Sequence, residues 1–203
     1  MSENPNRERF QSAYDGQPAW DLGRPQEPFI FAADQIRGAV LDAGCGTGDN
    51  ALFFARRGQP VVGIDFVEFA ITEAKRKADE RGLDAEFVQL DALQLPSLER
   101  QFDSVIDCGL FHVLSDADRQ VYVAGLAQVT KLGGKMFLMC FSDLEPPGPG
   151  PRRIRQDEIR AAFADGWTVE SISPAHFEPN PAAKEQFVDG GPRAWFAVIR
   201  RGR

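Results

Sequence analysis

The sequence predicts an α/β protein with a mostly parallel sheet covered by helices on both faces. Two observations carry this. Short apolar runs alternate in order with segments of helical periodicity. A cluster of glycines stands between the first such run and the first such helix, where a strand-to-helix turn is needed.

Taken in order, Val40 and Leu41 end a buried strand, and Ala51, Leu52 and Ala55 recur at helical spacing up to a stop at Gly58. Val61 to Asp65 is a second strand. Ile71, Ala74 and Ala78 give the next helix its apolar face, and Gly82 ends it. Glu86 to Ala92 is a third strand carrying Asp91 near its end, and Phe102 to Cys108 is a fourth carrying Asp107. Ser115 with Asp118 starts a helix in the manner of a capping box, with Tyr122, Leu126, Val129 and Leu132 on one side. Gly133 and Gly134 break it, and Met136 to Phe141 suits a fully buried fifth strand. The proline-rich stretch Pro146 to Pro151 reads as a surface loop, either a plain connector or a lid. Ile154 to Ala164 is a helix, Trp167 to Ile172 a sixth strand and Ala194 to Ile199 a seventh.

Residues 1–37 precede this alternation and are expected to form an N-terminal cap, with residues 38–203 as the core and a substrate-side insertion near 176–193. Tyr14, Trp20, Phe29 and Phe31 are costly to leave in water, so the cap should fold over something. The insertion brings Phe177, Phe187 and prolines, which form either a pocket wall or a cover for the sheet edge.

The turn itself narrows the ligand. Gly44, Gly46 and Gly48 let a ligand lie against the main chain. Their spacing is G-x-G-x-G, with Asp49 where a dinucleotide fingerprint would place its third glycine. Asp42 adds a carboxylate at the mouth, where a pyrophosphate would be repelled, so the ligand should bring a cation. Asp65, 23 residues after Asp42, suits a carboxylate gripping ribose hydroxyls. The plainer reading is that such acids cap the following helices, which weighs most for Asp49 and Asp91.

Asp42-Ala43-Gly44-Cys45-Gly46-Thr47-Gly48 resembles the first motif of the class I S-adenosylmethionine-dependent methyltransferases. The resemblance implies a Rossmann-like seven-stranded sheet whose last strand enters antiparallel. It implies S-adenosylmethionine as cofactor, held by Asp42, Gly44, Cys45, Gly46, Asp65 with the adjoining Phe66, Asp91 with Ala92 at the adenine, and Asp107 beside the methyl group. Trp20-Asp21-Leu22-Gly23-Arg24-Pro25-Gln26 is similar to the segment preceding the core in thiol, halide and thiopurine methyltransferases. That likeness implies a contact of Trp20 with the methionine end and places Arg24 or Gln26 at the active-site mouth; simple packing is the alternative for Trp20.

The acceptor should lie along Asp107 to His112, which lacks the Asn/Asp-Pro-Pro-aromatic signature of enzymes that methylate amino groups of bases or glutamine. His112 is the candidate general base, since an unperturbed imidazole titrates at about 6.5. A histidine ahead of a helix can equally cap or pack. Tyr14, Arg24, Phe111, His112 and Phe177 are the candidate acceptor-binding residues.

Composition limits the partners. A net charge of -7 argues against a general nucleic-acid binder. No run is long enough to cross a bilayer and no early stretch resembles a signal peptide. Cys45, Cys108 and Cys140 are scattered and odd in number, so a reducing, cytoplasmic setting is expected; with only His112 and His176, a zinc site is not. The expected function is methyl transfer to a small aromatic or heterocyclic O-, S- or N-nucleophile. A non-catalytic binding module on the same fold stays open, and a weaker alternative is an NAD-dependent oxidoreductase.

Overall fold

The computed structural model describes residues 5–148, 150–186 and 190–202, so Phe187 lies outside the described residues. Seven strands form one sheet in the order β3-β2-β1-β4-β5-β7-β6. They are β1 (Val40–Ala43), β2 (Val61–Asp65), β3 (Glu86–Gln89), β4 (Phe102–Cys108), β5 (Thr130–Phe141), β6 (Trp167–His176) and β7 (Arg193–Arg201). Pairing is parallel from β3 through β5, and β7 runs antiparallel to both its neighbours.

Alternation along the buried strands sends their side chains to two cores. Leu41, Val105, Met136 and Leu138 pack with Tyr122 and Leu126 of α5 (Asp116–Val129) and with Phe163, which follows α6 (Gln156–Ala162). Val40, Ile106, Phe137 and Met139 pack on the opposite face with Phe54 of α3 (Asp49–Arg56) and Ala74 of α4 (Glu68–Arg81). Both faces of β1 and most of β4 are therefore apolar, as a covered parallel sheet requires.

Three of the boundaries that differ from the sequence reading have a direct physical cause. The helix after Ser115 stops at Val129, because Thr130 turns extended and pairs with Phe102; Leu132 is consequently not on a helical face but 69% exposed. The third strand ends at Gln89, since Asp91 accepts from Leu93 N–H at 3.0 Å and starts a 3-10 turn over Ala92–Leu98. β6 runs on to His176, held by pairing with Arg193 that extends beyond the apolar pattern.

Two helices precede the sheet: α1 (Pro5–Ala13) and α2 (Glu27–Phe31). Phe29 of α2 is fully buried against Phe196, with ring centroids 5.4 Å apart. Phe31, expected to be covered, is 77% exposed, because the short helix turns only one face to the core. Among the described residues, no helix is long and apolar enough to cross a membrane.

Candidate active site

Strand order reverses between β1 and β4, and in open parallel sheets ligands bind outside the carboxyl ends of strands at such a point. The register sets Ala43 beside both Ile64 and Asp107, so Asp42, Asp65 and Asp107 converge at this edge.

The glycine turn follows β1. Gly48 has φ +86, and a Cβ there would lie 2.9 Å from Ala74 Cβ and Phe87 Cζ, so the missing side chain lets α3 start tightly against α4 and β3. Gly46, at φ +53, faces Tyr14: a Cβ would lie 3.2 Å from the phenol oxygen. Gly44 continues the turn at φ +71. Cys45 donates its backbone N–H to Ile64 O at 2.8 Å, and burial pushes its thiol well above the usual range. That thiol packs; it is not an ionised nucleophile.

Asp42 is wholly buried. Its Oδ2 accepts from Ala51 N–H at 3.0 Å, while Oδ1 has no hydrogen-bond partner among the described residues. Burial, followed in weight by the neighbouring Asp107 and Asp65 charges, raises the acid to about 8. An unsatisfied buried carboxylate oxygen costs free energy and is relieved by a cation or donor nearby. Asp65 accepts from Gly46 N–H at 3.0 Å through Oδ2 and from Val67 N–H at 2.9 Å through Oδ1. Each of its oxygens keeps a lone pair, which fits two hydroxyls of a sugar. Burial raises this acid too.

The remaining acids differ. Asp91 caps the 3-10 turn with Ala92 buried behind it, as the plainer reading expected. Asp107 turns to the opposite face of the sheet from Asp42. Its Oδ1 accepts from Leu110 and Phe111 N–H at 2.9 and 3.3 Å, and its Oδ2 from Tyr122 Oη–H at 3.0 Å. Burial raises it to about 7. Asp107 thus orders the loop after β4, and its carboxylate is engaged within the protein.

Aromatic side chains from the cap gather above the glycine turn. Trp20 Nε1–H donates to Tyr14 Oη at 3.3 Å, Phe10 lies edge-on to both Trp20 (5.8 Å) and Phe66 (6.1 Å), and Tyr14 lies 5.6 Å from Phe69. Tyr14 thus lies over the glycine turn, and burial with the Asp65 charge raises its phenol. Trp20 remains 48% exposed. Phe10 and Phe69 escaped the sequence reading, although Phe10 and Tyr14 stand four apart, as do neighbours on a helix face.

Polar contacts tie the cap to the rest. Thr47 Oγ1–H donates to Asp21 at 2.8 Å, and Lys77 Nζ donates to Thr47 and Asp49 at 2.6 and 3.0 Å. Gln26 exchanges two hydrogen bonds with the Glu178 backbone at 2.8 and 2.9 Å, and buried Asn180 donates to Pro18 O at 2.7 Å. Arg24 pairs with Glu178 at the surface and so clasps the insertion.

His112 and Phe177 do meet. Their rings are 5.9 Å apart, and Phe141, unremarked in the sequence, completes the group at 5.0 Å from His112 and 5.3 Å from Phe177. His112 and Phe177 border Gly109, the first residue past β4. Phe111 points the other way: it is fully buried, stacked on Phe163 at 6.0 Å with the Arg119 guanidinium over it, and is a core residue. The expected titration of His112 is also corrected. Burial, with Arg153 nearby, lowers it to about 3, and its Nδ1 accepts from Phe141 N–H at 3.0 Å. A neutral ring with Nδ1 occupied is a poor proton acceptor.

A covered parallel sheet with paired acids and a glycine turn at its switch point defines a protein that binds a cationic nucleoside ligand. Comparison with known proteins agrees. The methyltransferase domain family matches residues 40–134. The 2-heptyl-1-hydroxyquinolin-4(1H)-one methyltransferase of Mycobacteroides abscessus is 33% identical over 98% of this chain and 92% of its own length. A solved structure from work on conversion of a disulfide bond into a thioacetal group during echinomycin biosynthesis is 34% identical, with TM-score 0.83, covering 96% of this chain and 92% of that one. The fold is shared with the Burkholderia thailandensis 1,6-didemethyltoxoflavin-N1-methyltransferase, at 22% identity and TM-score 0.73 over 98% and 88% of the two chains. The chain belongs to the class I S-adenosylmethionine-dependent methyltransferases. It is an enzyme of that class, and S-adenosylmethionine is its methyl donor.

Proposed function

We propose that this methyltransferase acts on a small, flat, aromatic heterocycle bearing an ionisable O–H, S–H or N–H. The observation that carries this reading is the grouping of the His112, Phe141 and Phe177 rings, with His112 and Phe177 bordering Gly109 just past the end of β4. Aromatic walls with few polar groups suit a planar acceptor. The hydroxyquinolinone methyltransferase that resembles this chain along nearly its whole length supports the same class.

S-adenosylmethionine supplies a methyl group on a sulfonium, which leaves as a neutral thioether when the acceptor's lone pair attacks the methyl carbon. The protein's task is to position and to exclude water. In this reading Asp42 sets a negative potential under the ligand's cationic end, Asp65 takes the ribose hydroxyls with Phe66 alongside, and Asp91 and Ala92 border the adenine. The Gly44, Cys45 and Gly46 backbone lies against the methionine part. Residues 5–37 act as a cap over the cofactor, with Phe10, Tyr14 and Trp20 as its inner surface. The net charge of -7 and three separate free cysteines support a cytoplasmic enzyme working on small molecules, without nucleic-acid or membrane partners.

Calorimetry with S-adenosylmethionine, S-adenosylhomocysteine and NAD, followed by a methyl-release screen over thiols, phenols and N-hydroxy heterocycles, tests the reading. Binding of the first two and turnover of a planar heterocycle are expected. Turnover confined to aliphatic acceptors would overturn the acceptor class, and binding of NAD alone would overturn the cofactor.

A further inference from the structure

Two features of His112 remain unused by the reading above, and both concern its free nitrogen. Phe141 N–H donates to Nδ1, so Nδ1 carries no proton and the neutral ring must carry its proton on Nε2. That Nε2 stands on the side of Gly109 and Phe177: a Cβ on Gly109 would lie 3.7 Å from Nε2 and 3.9 Å from Phe177 Cε1. No hydrogen-bond partner for Nε2 is found among the described residues. His112 is only 6% exposed, and Nε2 is not one of the fully buried unpartnered atoms, so this N–H keeps access from outside and a ligand oxygen can receive it.

Resting on the acceptor class proposed above, we propose that His112 is a fixed hydrogen-bond donor that selects acceptors carrying an oxygen, as oxyanion or ring carbonyl, and aims the nucleophile at the methyl group. The Arg153 guanidinium, 5.8 Å from the centre of the Phe141 ring, adds positive potential on the same side. Such an acceptor arrives ionised, having given its proton to solvent. Its lone pair forms the new bond to the methyl carbon, the carbon–sulfur bond breaks, and that electron pair stays on sulfur. No proton passes to His112. A general base at this position would need the lone pair on Nε2 that the Phe141 contact denies it.

The tautomer and the selectivity are tested separately. Nitrogen NMR of the folded wild-type protein with ring-labelled histidine should show His112 with a protonated, pyrrole-type Nε2 and a bare Nδ1 throughout neutral pH; a protonated Nδ1 or a titration near neutrality would overturn the proposal. Kinetics then compare 2-heptyl-1-hydroxyquinolin-4(1H)-one with thiophenol, which has no oxygen to receive the N–H. His112→Phe keeps the aromatic packing but loses the donor, and kcat/KM should fall roughly tenfold or more further on the quinolone than on thiophenol. His112→Gln can accept from Phe141 N–H and still donate, and should recover most of that excess. Equal losses on both acceptors, or a glutamine variant as poor as the phenylalanine one, would overturn the proposal. Failure of the wild type to methylate either acceptor, with the Nε2–H tautomer present, would instead count against the acceptor class.

Discussion

The phenol oxygen of Tyr14 faces Gly46 so closely that a single added carbon on the glycine would come within 3.2 Å of it. The cap therefore lies directly on the glycine turn, and the same glycine donates its N–H to Asp65.

Gly46→Ala should separate binding from folding. An alanine at φ +53 is strained by roughly 1–2 kcal/mol, a modest loss of melting temperature. The new methyl group also enters the space between Tyr14 and the turn, so the Kd for S-adenosylmethionine should rise about tenfold or more. Calorimetry and thermal melts on the same sample decide it, and an unchanged Kd would remove the turn from the cofactor site.

Asp65→Ala should weaken both the free protein and its complex. Its carboxylate holds Gly46 and Val67 N–H groups before any ligand arrives, so removing it leaves two donors without their partner. Charge-assisted bonds are worth about 1.5–3 kcal/mol each, and a lowered melting temperature plus a large rise in Kd are expected. If affinity is kept by the folded variant, the ribose assignment fails.

Asp42 gives a pH dependence whose sign is fixed by burial. The folded acid sits at about 8 and an unfolded one near 3.9, so its contribution to stability is complete below about pH 4 and is lost as pH rises through about 8. Asp42→Asn keeps an acceptor for Ala51 N–H and carries no charge. Its melting temperature should gain on the wild type as pH rises from about 4 to about 8 and level off above that. S-adenosylmethionine should bind it more weakly, because the negative charge is gone. Wild-type binding near neutral pH should release a proton, visible as a buffer-dependent binding enthalpy that the variant lacks.

The cap should depend on Asn180 far more than on Arg24. The Arg24–Glu178 pair is half exposed and worth about 0–1 kcal/mol. Asn180 is fully buried, donates to Pro18 O and accepts from Ala183 N–H at 2.9 Å, so Asn180→Ala should cost about 1–3 kcal/mol. Hydrogen exchange over residues 14–26 should quicken in Asn180→Ala, stay near wild type in Arg24→Ala, and slow in both on adding S-adenosylhomocysteine. Equal exchange in the two variants would show that the clasp does not hold the cap.

The strand-helix alternation, the glycine turn and the acids at the strand ends were all visible in the sequence, and they determined the fold class and the cofactor. Such features are local: a buried strand is written in consecutive apolar residues, and a tight turn in its glycines. What each acid does was not visible, because Asp42 and Asp107 have the same residue type and both stand near the ends of apolar strands. One faces the turn and the other Tyr122, and strand register and the choice of sheet face decide that. Nor could the sequence show that the cap is held by the insertion, since Gln26 and Glu178 are 152 residues apart. The same holds for His112, whose low pKa comes from burial with Arg153 nearby and whose single bare nitrogen comes from Phe141 on β5, a residue that only folding brings to the ring. Local chemistry is set by the chain, while burial and long-range pairing fix charge, tautomer and direction, and those belong to the tertiary structure alone.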